Sequence, residues 1–559
     1  MYKKIAKGLS LLAAAVIAAG VFPTLATAAP ANNVDWGVSR SKTATNLDSD
    51  FVSHVTLSLP SAEQNLKTDI VFVFDESSCS APVKAEINTM LAQLYEHQQK
   101  TGASIQIGAV QFRGETTEFP LTALNENTKA DLGDFMSNRP KVGGSNMSMG
   151  LLAGEAMLDA DTTVDASRKY MILVSDGITY IWDDPATPEQ ENFGVNFSNA
   201  DTPDKPMLAG PDGWDVWYGQ KYVPASWTDH LQHVGELLDT TISTKASPYK
   251  RGADISGNPF VKPSETQDYA STVDIALYQS YVVYQRVASK YHAFAVDMGV
   301  ENEMAVYPYG PSFMKFLADG KEVTFDNILN EVLYLVDAGS RVEDYMGYVE
   351  GDYDFNFVND AAALSLTVGT ETFDAVKIAD NTYGFKPMDN GKYAYVVTYV
   401  PADGADEHFV WDINEAITNF ACVQLHYDVK LMNPKTAEGV YGEYDANGSL
   451  GKAGLCTNNS ATLYPVATNG VAGEPQQFAQ PTVSYTVEKP ATPDKPDTPD
   501  KPEKPETPDT PGGSSKPGKK PSGSKLPETA DNNFVALAAA CGLTVAAASA
   551  FVAAKKLQK

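Results

Sequence analysis

Cysteine is scarce in this chain, with four residues among 559. Cys422 and Cys456 are the two that could pair in an oxidising compartment, and Cys79 stands apart from them. Basic side chains are also short: 42 Lys and Arg against 71 Asp and Glu give a net charge of −29. That excludes nucleic acid as a partner, because phosphate binding needs a cationic face. There is no nucleophile elbow, no His-Glu-x-x-His pair and no phosphate loop, so nothing points to an enzyme. His230 and His233, in Thr-Asp-His-Leu-Gln-His, fit a solvated helix face better than a zinc site.

What the chain does have is length enough for two or three domains. Both ends carry targeting segments. Lys3, Lys4 and Lys7 precede the apolar run Leu11–Phe22 and the small residues Ala26-Thr27-Ala28. This is a secretory signal over 1–28 with cleavage after Ala28, since the run is too short to span a bilayer. At the other end, 526–559 read Leu526-Pro527-Glu528-Thr529-Ala530, an apolar run Phe534–Ala554 of membrane-spanning length, then Lys555, Lys556 and Lys559. The segment resembles the sortase sorting signal of Gram-positive cell-wall proteins, with Ala530 where Gly is commonest. The resemblance implies cleavage between Thr529 and Ala530 by a sortase. Peptidoglycan or a pilus backbone subunit would be the acceptor, and Cys541 would leave with the removed tail.

Composition divides the interior. Residues 489–525 repeat Pro with Asp, Lys, Glu and Thr, which cannot build a core and favours polyproline II. At about 3.1 Å per residue this stalk reaches on the order of 100 Å. Within 67–338, the apolar runs Ile70–Phe74, Ile105–Phe112, Met171–Val174 and Ala293–Val296 read as strands buried on both faces. Helical patterns follow Pro82 (Val83, Ile87, Leu91, Leu94) and cover Met149–Leu158 and Tyr269–Ser289. The alternation predicts a doubly wound, Rossmann-like α/β domain. Residues 178–264 interrupt it as a long insertion with Trp182, Trp214, Trp217 and Trp227, which form either a small core or an aromatic contact surface. Residues 339–488 carry short, evenly spaced strands, as a β-sandwich does.

Three segments of the α/β region hold oxygen ligands: Asp75-Glu76-Ser77-Ser78-Cys79-Ser80, Gly143-Gly144-Ser145-Asn146 and Ser175-Asp176-Gly177. Ligands in open α/β sheets bind beyond the carboxyl ends of the strands, where Asp75 and Asp176 fall. Hard oxygens suit Mg²⁺, with Mn²⁺ or Ca²⁺ as alternatives. The constellation resembles the von Willebrand factor A domain and its metal-ion-dependent adhesion site. The resemblance implies ligands Asp75, Ser77, Ser145 and Asp176, with Cys79 where a second serine belongs. A thiol is a poor ligand for Mg²⁺, so Ser78, Ser80 or water would fill that place.

Residues 29–66 read as one or two strands within 38–59. They resemble the opening of the Ig-like domain that an A domain interrupts in pilus-tip adhesins. The resemblance implies a sandwich completed by 339–488. It also implies an isopeptide bond from Lys42 to Asn458 or Asn459, with Asp344 as the nearby acid. A buried lysine sheds its charge and becomes a nucleophile. The whole reads as a secreted, peptidoglycan-anchored or pilus-tip adhesin, not an enzyme, that grips a host matrix or surface protein through a metal. The alternative is a structural pilus subunit with a non-functional metal site.

Overall fold

The computed structural model describes residues 36–76, 81–113, 115–137, 145–179, 181–182, 193–194, 223–240, 272–298 and 308–489. The described chain opens with an antiparallel pair, β1 (Ser41–Ala44) and β2 (Val52–Leu59). It then builds a five-stranded sheet from β3 (Thr68–Asp75), β4 (Ile105–Phe112), β5 (Thr116–Ala123), β6 (Lys169–Ser175) and β7 (His292–Asp297). The spatial order is β5-β4-β3-β6-β7, parallel except for β5. Every residue of Thr-Asp-Ile-Val-Phe-Val-Phe-Asp in β3 is buried, as a central strand between two helical layers requires. β5 was not expected from the sequence. It is half-exposed and contains Pro120, a residue that an edge strand tolerates.

Seven helices are described around this sheet: α1 (Ala81–Thr101), α2 (Glu126–Ser137), α3 (Met147–Ala160), α4 (Trp227–Thr240), α5 (Thr272–Ala288), α6 (Tyr309–Leu317) and α7 (Phe325–Leu333). Alternation along β3 sends Val71 and Val73 to one face, where Leu151, Leu277 and Phe313 of α3, α5 and α6 meet them. Ile70, Phe72 and Phe74 go to the other, against Leu91, Leu132 and Ile328 of α1, α2 and α7. The sheet is thus covered on both sides, as the α/β pattern predicts. Within the insertion, Trp227 opens α4 and turns into this core: its ring lies 5.1 Å from Phe313 and its Nε1 donates to Ser312 Oγ at 2.9 Å.

After α7 the chain enters β8 (Arg341–Met346), and later β9 (Val423–Leu431) and β10 (Asn458–Tyr464). β9 pairs antiparallel with β2, so a strand from before the α/β part joins one from after it. The seven-stranded sheet they share also holds β1 and strands 348–349, 353–357, 365–368 and 371–374. A second seven-stranded sheet runs 376–379, 382–387, 393–400, 408–413, β8, β10 and 476–477. Leu57, Phe355 and Tyr427 from the first share one core with Val342, Trp411 and Leu463 from the second.

The two parts meet through residues 417–420. Phe420 is buried in the core beneath α1 and α7, and the Arg168 guanidinium sits 5.6 Å from its ring. Arg168 donates to the carbonyls of Leu66 and Asn419, and Asn419 Nδ2 donates to those of Glu331 and Val332. These bonds use backbone acceptors that α7 and the inter-strand turn would otherwise leave unmet.

Candidate functional site

The carboxyl ends of β3 and β6 lie side by side, Phe74 opposite Val174, which sets Asp75 beside Ser175. Asp75 Oδ2 accepts from Ser145 Oγ at 3.0 Å and from Ser175 Oγ at 2.9 Å. Asp176 follows directly, and its Oδ1 accepts from the Ile178 amide at 2.9 Å. Asp75, Ser145, Ser175 and Asp176 are all buried. Ser145 is brought in by the start of α3, where Asn146 caps the helix by accepting from Met149 N. Thr179 ties the two loops: its Oγ1 donates to Ser145 O at 3.1 Å and accepts from Met147 N at 3.2 Å.

Gly177 is required by this geometry. Its φ is +75°, and a Cβ there would come 2.1 Å from Gly310 O at the start of α6. Beneath the site, Glu76 turns inward rather than toward Asp176. Its carboxylate pairs with Lys84 Nζ at 3.2 Å and accepts from Gln111 Nε2 at 3.2 Å. Lys84 and Gln111 in turn donate to the carbonyls of Met136 and Phe135, at the end of α2.

The donor set is two carboxylates with hydroxyls around them. That is the chemistry of a hard divalent cation such as Mg²⁺, and the residues present fit one. Among the described residues, no group of three or more His, Cys, Asp or Glu gathers as a thiolate or imidazole site would need. Ser77 and Cys79 lie outside the described residues.

A family model described as the von Willebrand factor type A domain matches residues 69–197. The matched residues run from β3 through β6 of the α/β part. No curated protein matches the chain. Among solved structures, the pilus adhesin SpaC from Lactobacillus rhamnosus GG aligns at 17% identity and a TM-score of 0.27, over 81% of this chain and 48% of that one. The chain therefore spans about half the length of SpaC. The adhesive tip pilin GBS104 from Group B Streptococcus agalactiae aligns at 13% identity and a TM-score of 0.25, over 81% and 93%. The pilus adhesin RrgA from Streptococcus pneumoniae aligns at 13% identity and a TM-score of 0.25, over 80% and 66%.

Outside the A domain, a second buried cluster forms between the two seven-stranded sheets. Lys42 Nζ lies 2.6 Å from Asp344 Oδ2 and 2.8 Å from Oδ1, with both side chains fully enclosed. Tyr427 donates its hydroxyl to Asp344 Oδ2 at 2.6 Å. Burial pushes the Lys42 amine down and the Asp344 carboxyl up, each opposed by the partner's charge. Both shifts favour a neutral amine beside a neutral acid. Asn458 pairs across from Met346, two residues along the inward face from Asp344. It is fully buried, and its Nδ2 has no hydrogen-bond partner. Asn459 differs: its Oδ1 accepts from the Tyr348 amide at 3.1 Å. The geometry therefore separates two asparagines that the sequence leaves as alternatives.

The expected Cys422–Cys456 pairing is not made; both thiols are free. Cys422 precedes β9, near Ser61 O, while Cys456 sits beside Tyr353, whose strand pairs with the far end of β9. The nine-residue length of β9 separates them by about 25–30 Å, far beyond the reach of a disulfide. Ala28, Thr529 and Ala530 lie outside the described residues, as do Trp214 and Trp217 and residues 490–559. His230 Nε2 bonds Asp274 at 2.9 Å, an ordinary helix-to-helix pair between α4 and α5. Sequence reasoning missed Thr179 and Tyr427, and it placed Ser175 in its segment without giving it a role. That role was within reach, because parallel strands in register put the residue before Asp176 next to Asp75.

Proposed function

We propose that the chain is a surface adhesin whose A domain grips a partner protein through a divalent metal, Mg²⁺ or else Mn²⁺ or Ca²⁺. The observation that carries this is Asp75, held by two hydroxyls at the carboxyl edge of the sheet with Asp176 beside it. Asp75, Ser145 and Asp176 would hold the ion together with Ser77 of the adjoining loop, and Ser78, Ser80 or water would fill the place where Cys79 stands. When bound, the ion supplies a bridge to a carboxylate of the partner rather than chemistry. Ser175 and Thr179 keep the ligand-bearing loops in place. The partner class is a host extracellular-matrix or surface protein. Secretion, the proline-rich stalk and sortase transfer at Thr529 to peptidoglycan or a pilus backbone belong to the same reading. So does a division into strands 29–66, A domain 67–338 and an Ig-like sandwich completed by 339–488.

We further propose that Lys42 and Asn458 form an isopeptide bond within that sandwich. The unpartnered Asn458 Nδ2 and the burial that pushes the Lys42 amine down and the Asp344 acid up support it. Intact mass would fall by about 17 Da, the ammonia released when an amine attacks an amide.

The deciding experiment is binding of the secreted chain to a panel of matrix proteins with and without EDTA, beside calorimetric Mg²⁺ titration of wild type and Asp75→Ala. Saturable Mg²⁺ binding lost in Asp75→Ala, with EDTA-sensitive adhesion, is the expected result. Absence of Mg²⁺ binding would move the weight to a structural pilus subunit. Cys79 at a ligand position favours that second reading.

A further inference from the structure

We infer that Tyr427 is a positioning residue for the Lys42–Asn458 crosslink, fixing which oxygen of Asp344 handles the proton. The inference rests on the crosslink reading above and on three contacts. Tyr427 donates to Asp344 Oδ2 at 2.6 Å, the oxygen that also stands 2.6 Å from Lys42 Nζ. Oδ1 stands 2.8 Å from the same amine. Lys42 Nζ lies 5.7 Å from the centre of the Tyr427 ring, so the phenol forms one wall of the amine's pocket.

The ring cannot swing away. It packs edge-on to Phe409 at 4.9 Å and tilted against Phe357 at 5.9 Å, inside the core shared by the two sheets. Its hydroxyl proton is firmly held, because burial and the neighbouring Asp344 raise the phenol well above its ordinary range. Tyr427 thus donates a hydrogen bond without giving up the proton. With Oδ2 occupied as an acceptor, the acidic proton of neutral Asp344 is directed to Oδ1.

The bond-forming step balances without any outside reagent. The lone pair of Lys42 Nζ attacks Cγ of Asn458 and a C–N bond forms. Asp344 relays a proton from the amine to the departing nitrogen, the Cγ–Nδ2 bond breaks, and ammonia leaves. One amine and one primary amide become one secondary amide and ammonia. Afterwards Lys42 carries no charge, and the Tyr427 hydroxyl remains as the partner that keeps the buried carboxyl satisfied.

The test is to synthesise the full chain in a cell-free system and follow the loss of about 17 Da by intact mass against time and pH. Tyr427→Phe keeps the ring and removes the hydroxyl. We expect it to crosslink at least about tenfold more slowly, the size of effect that one lost proton-positioning contact gives. Its rate–pH profile should also move upward, because Asp344 loses a donor that favoured its ionised form. Phe409→Leu loosens the same packing but keeps the hydroxyl, so any slowing should be smaller than in Tyr427→Phe and the pH profile should stay at wild type. A wild-type rate and profile in Tyr427→Phe would overturn the inference. So would equal slowing in both variants without a shifted profile, since that marks packing alone. If Tyr427→Phe fails to fold, 3-fluorotyrosine at the same position weakens the phenol's hold on its proton without changing its shape, and an unmoved rate–pH profile there overturns the inference as well. A wild-type chain that never loses the mass removes the crosslink itself, and that outcome is distinct from all of these.

Discussion

Two buried aspartates organise this molecule, and their surroundings are opposites. Asp75, at the end of β3, is met by two serine hydroxyls and lies at a sheet edge where loops converge. Asp344, in the middle of β8, is met by one amine and one phenol inside an aromatic core. Hydroxyls share a carboxylate with a cation, because each can rotate and still accept. An amine in an apolar pocket instead drives both groups toward neutrality, which is where a lysine becomes reactive. On the proposed reading, one residue type would serve reversible grip in one part of the chain and a permanent tie in the other. The partners decide which.

The sharpest way to break this contrast is Lys42→Ala. It prevents the tie, opens a cavity where the fully buried Lys42 side chain sat and removes a hydrogen-bond partner of Asp344, together on the order of 3–5 kcal/mol. Guanidinium denaturation should show it as a lowered midpoint, and the 17-Da loss (about one ammonia) should vanish. A midpoint equal to wild type would mean that Asp344 and Lys42 do not act as a pair.

Acid should act on the A domain through a third buried group. Burial pushes the His292 imidazole down to about 4, where it stacks on Tyr170 at 4.6 Å and its Nε2 meets Ser167 O. The unfolded chain takes up that proton near pH 6.5, well before the folded one does. Stability is therefore full above about pH 6.5 and falls as pH drops toward 4, by on the order of 3 kcal/mol. Glu331, 3.8 Å from Nδ1 and itself raised by burial, opposes part of that slope. His292→Phe should flatten the slope in a pH series of denaturation midpoints; an unchanged slope would assign it elsewhere.

Asp75→Ala should abolish Mg²⁺ binding yet cost only about 1–3 kcal/mol of stability, from the two serines it strands. A loss as large as that of Lys42→Ala would show that the sheet edge depends on Asp75 as structure and not as a ligand. The smallest expected effect is Asn459→Ala. It removes the partner of the Tyr348 amide, at about 1 kcal/mol, and leaves the crosslink mass unchanged. Loss of the crosslink there would exchange the roles of Asn458 and Asn459.

The sequence made the central strands legible because β3, β4 and β6 are unbroken apolar runs, and helices α3 and α5 because their periodicity is clean. It hid β5, whose Thr-Thr-Glu-Phe-Pro-Leu-Thr-Ala has no buried face to advertise. It also hid β8, Arg-Val-Glu-Asp-Tyr-Met, where an inward aspartate breaks the alternation that marks a strand. Asp75, Ser145 and Asp176 stood out through motif spacing. Tyr427 did not, because its partners come from β1 and β8, far away in the chain. Pairing of Cys422 with Cys456 failed for a related reason: nothing local reveals that β9 holds them at opposite ends.

The chain leaves the β-strand part after β2 and returns only after α7, with the whole A domain in between. Once Lys42 and Asn458 are joined, that excursion becomes a closed covalent ring. A protease that nicks an exposed loop between them would then open the ring but release nothing, and the clipped molecule would still migrate as one species after boiling in detergent.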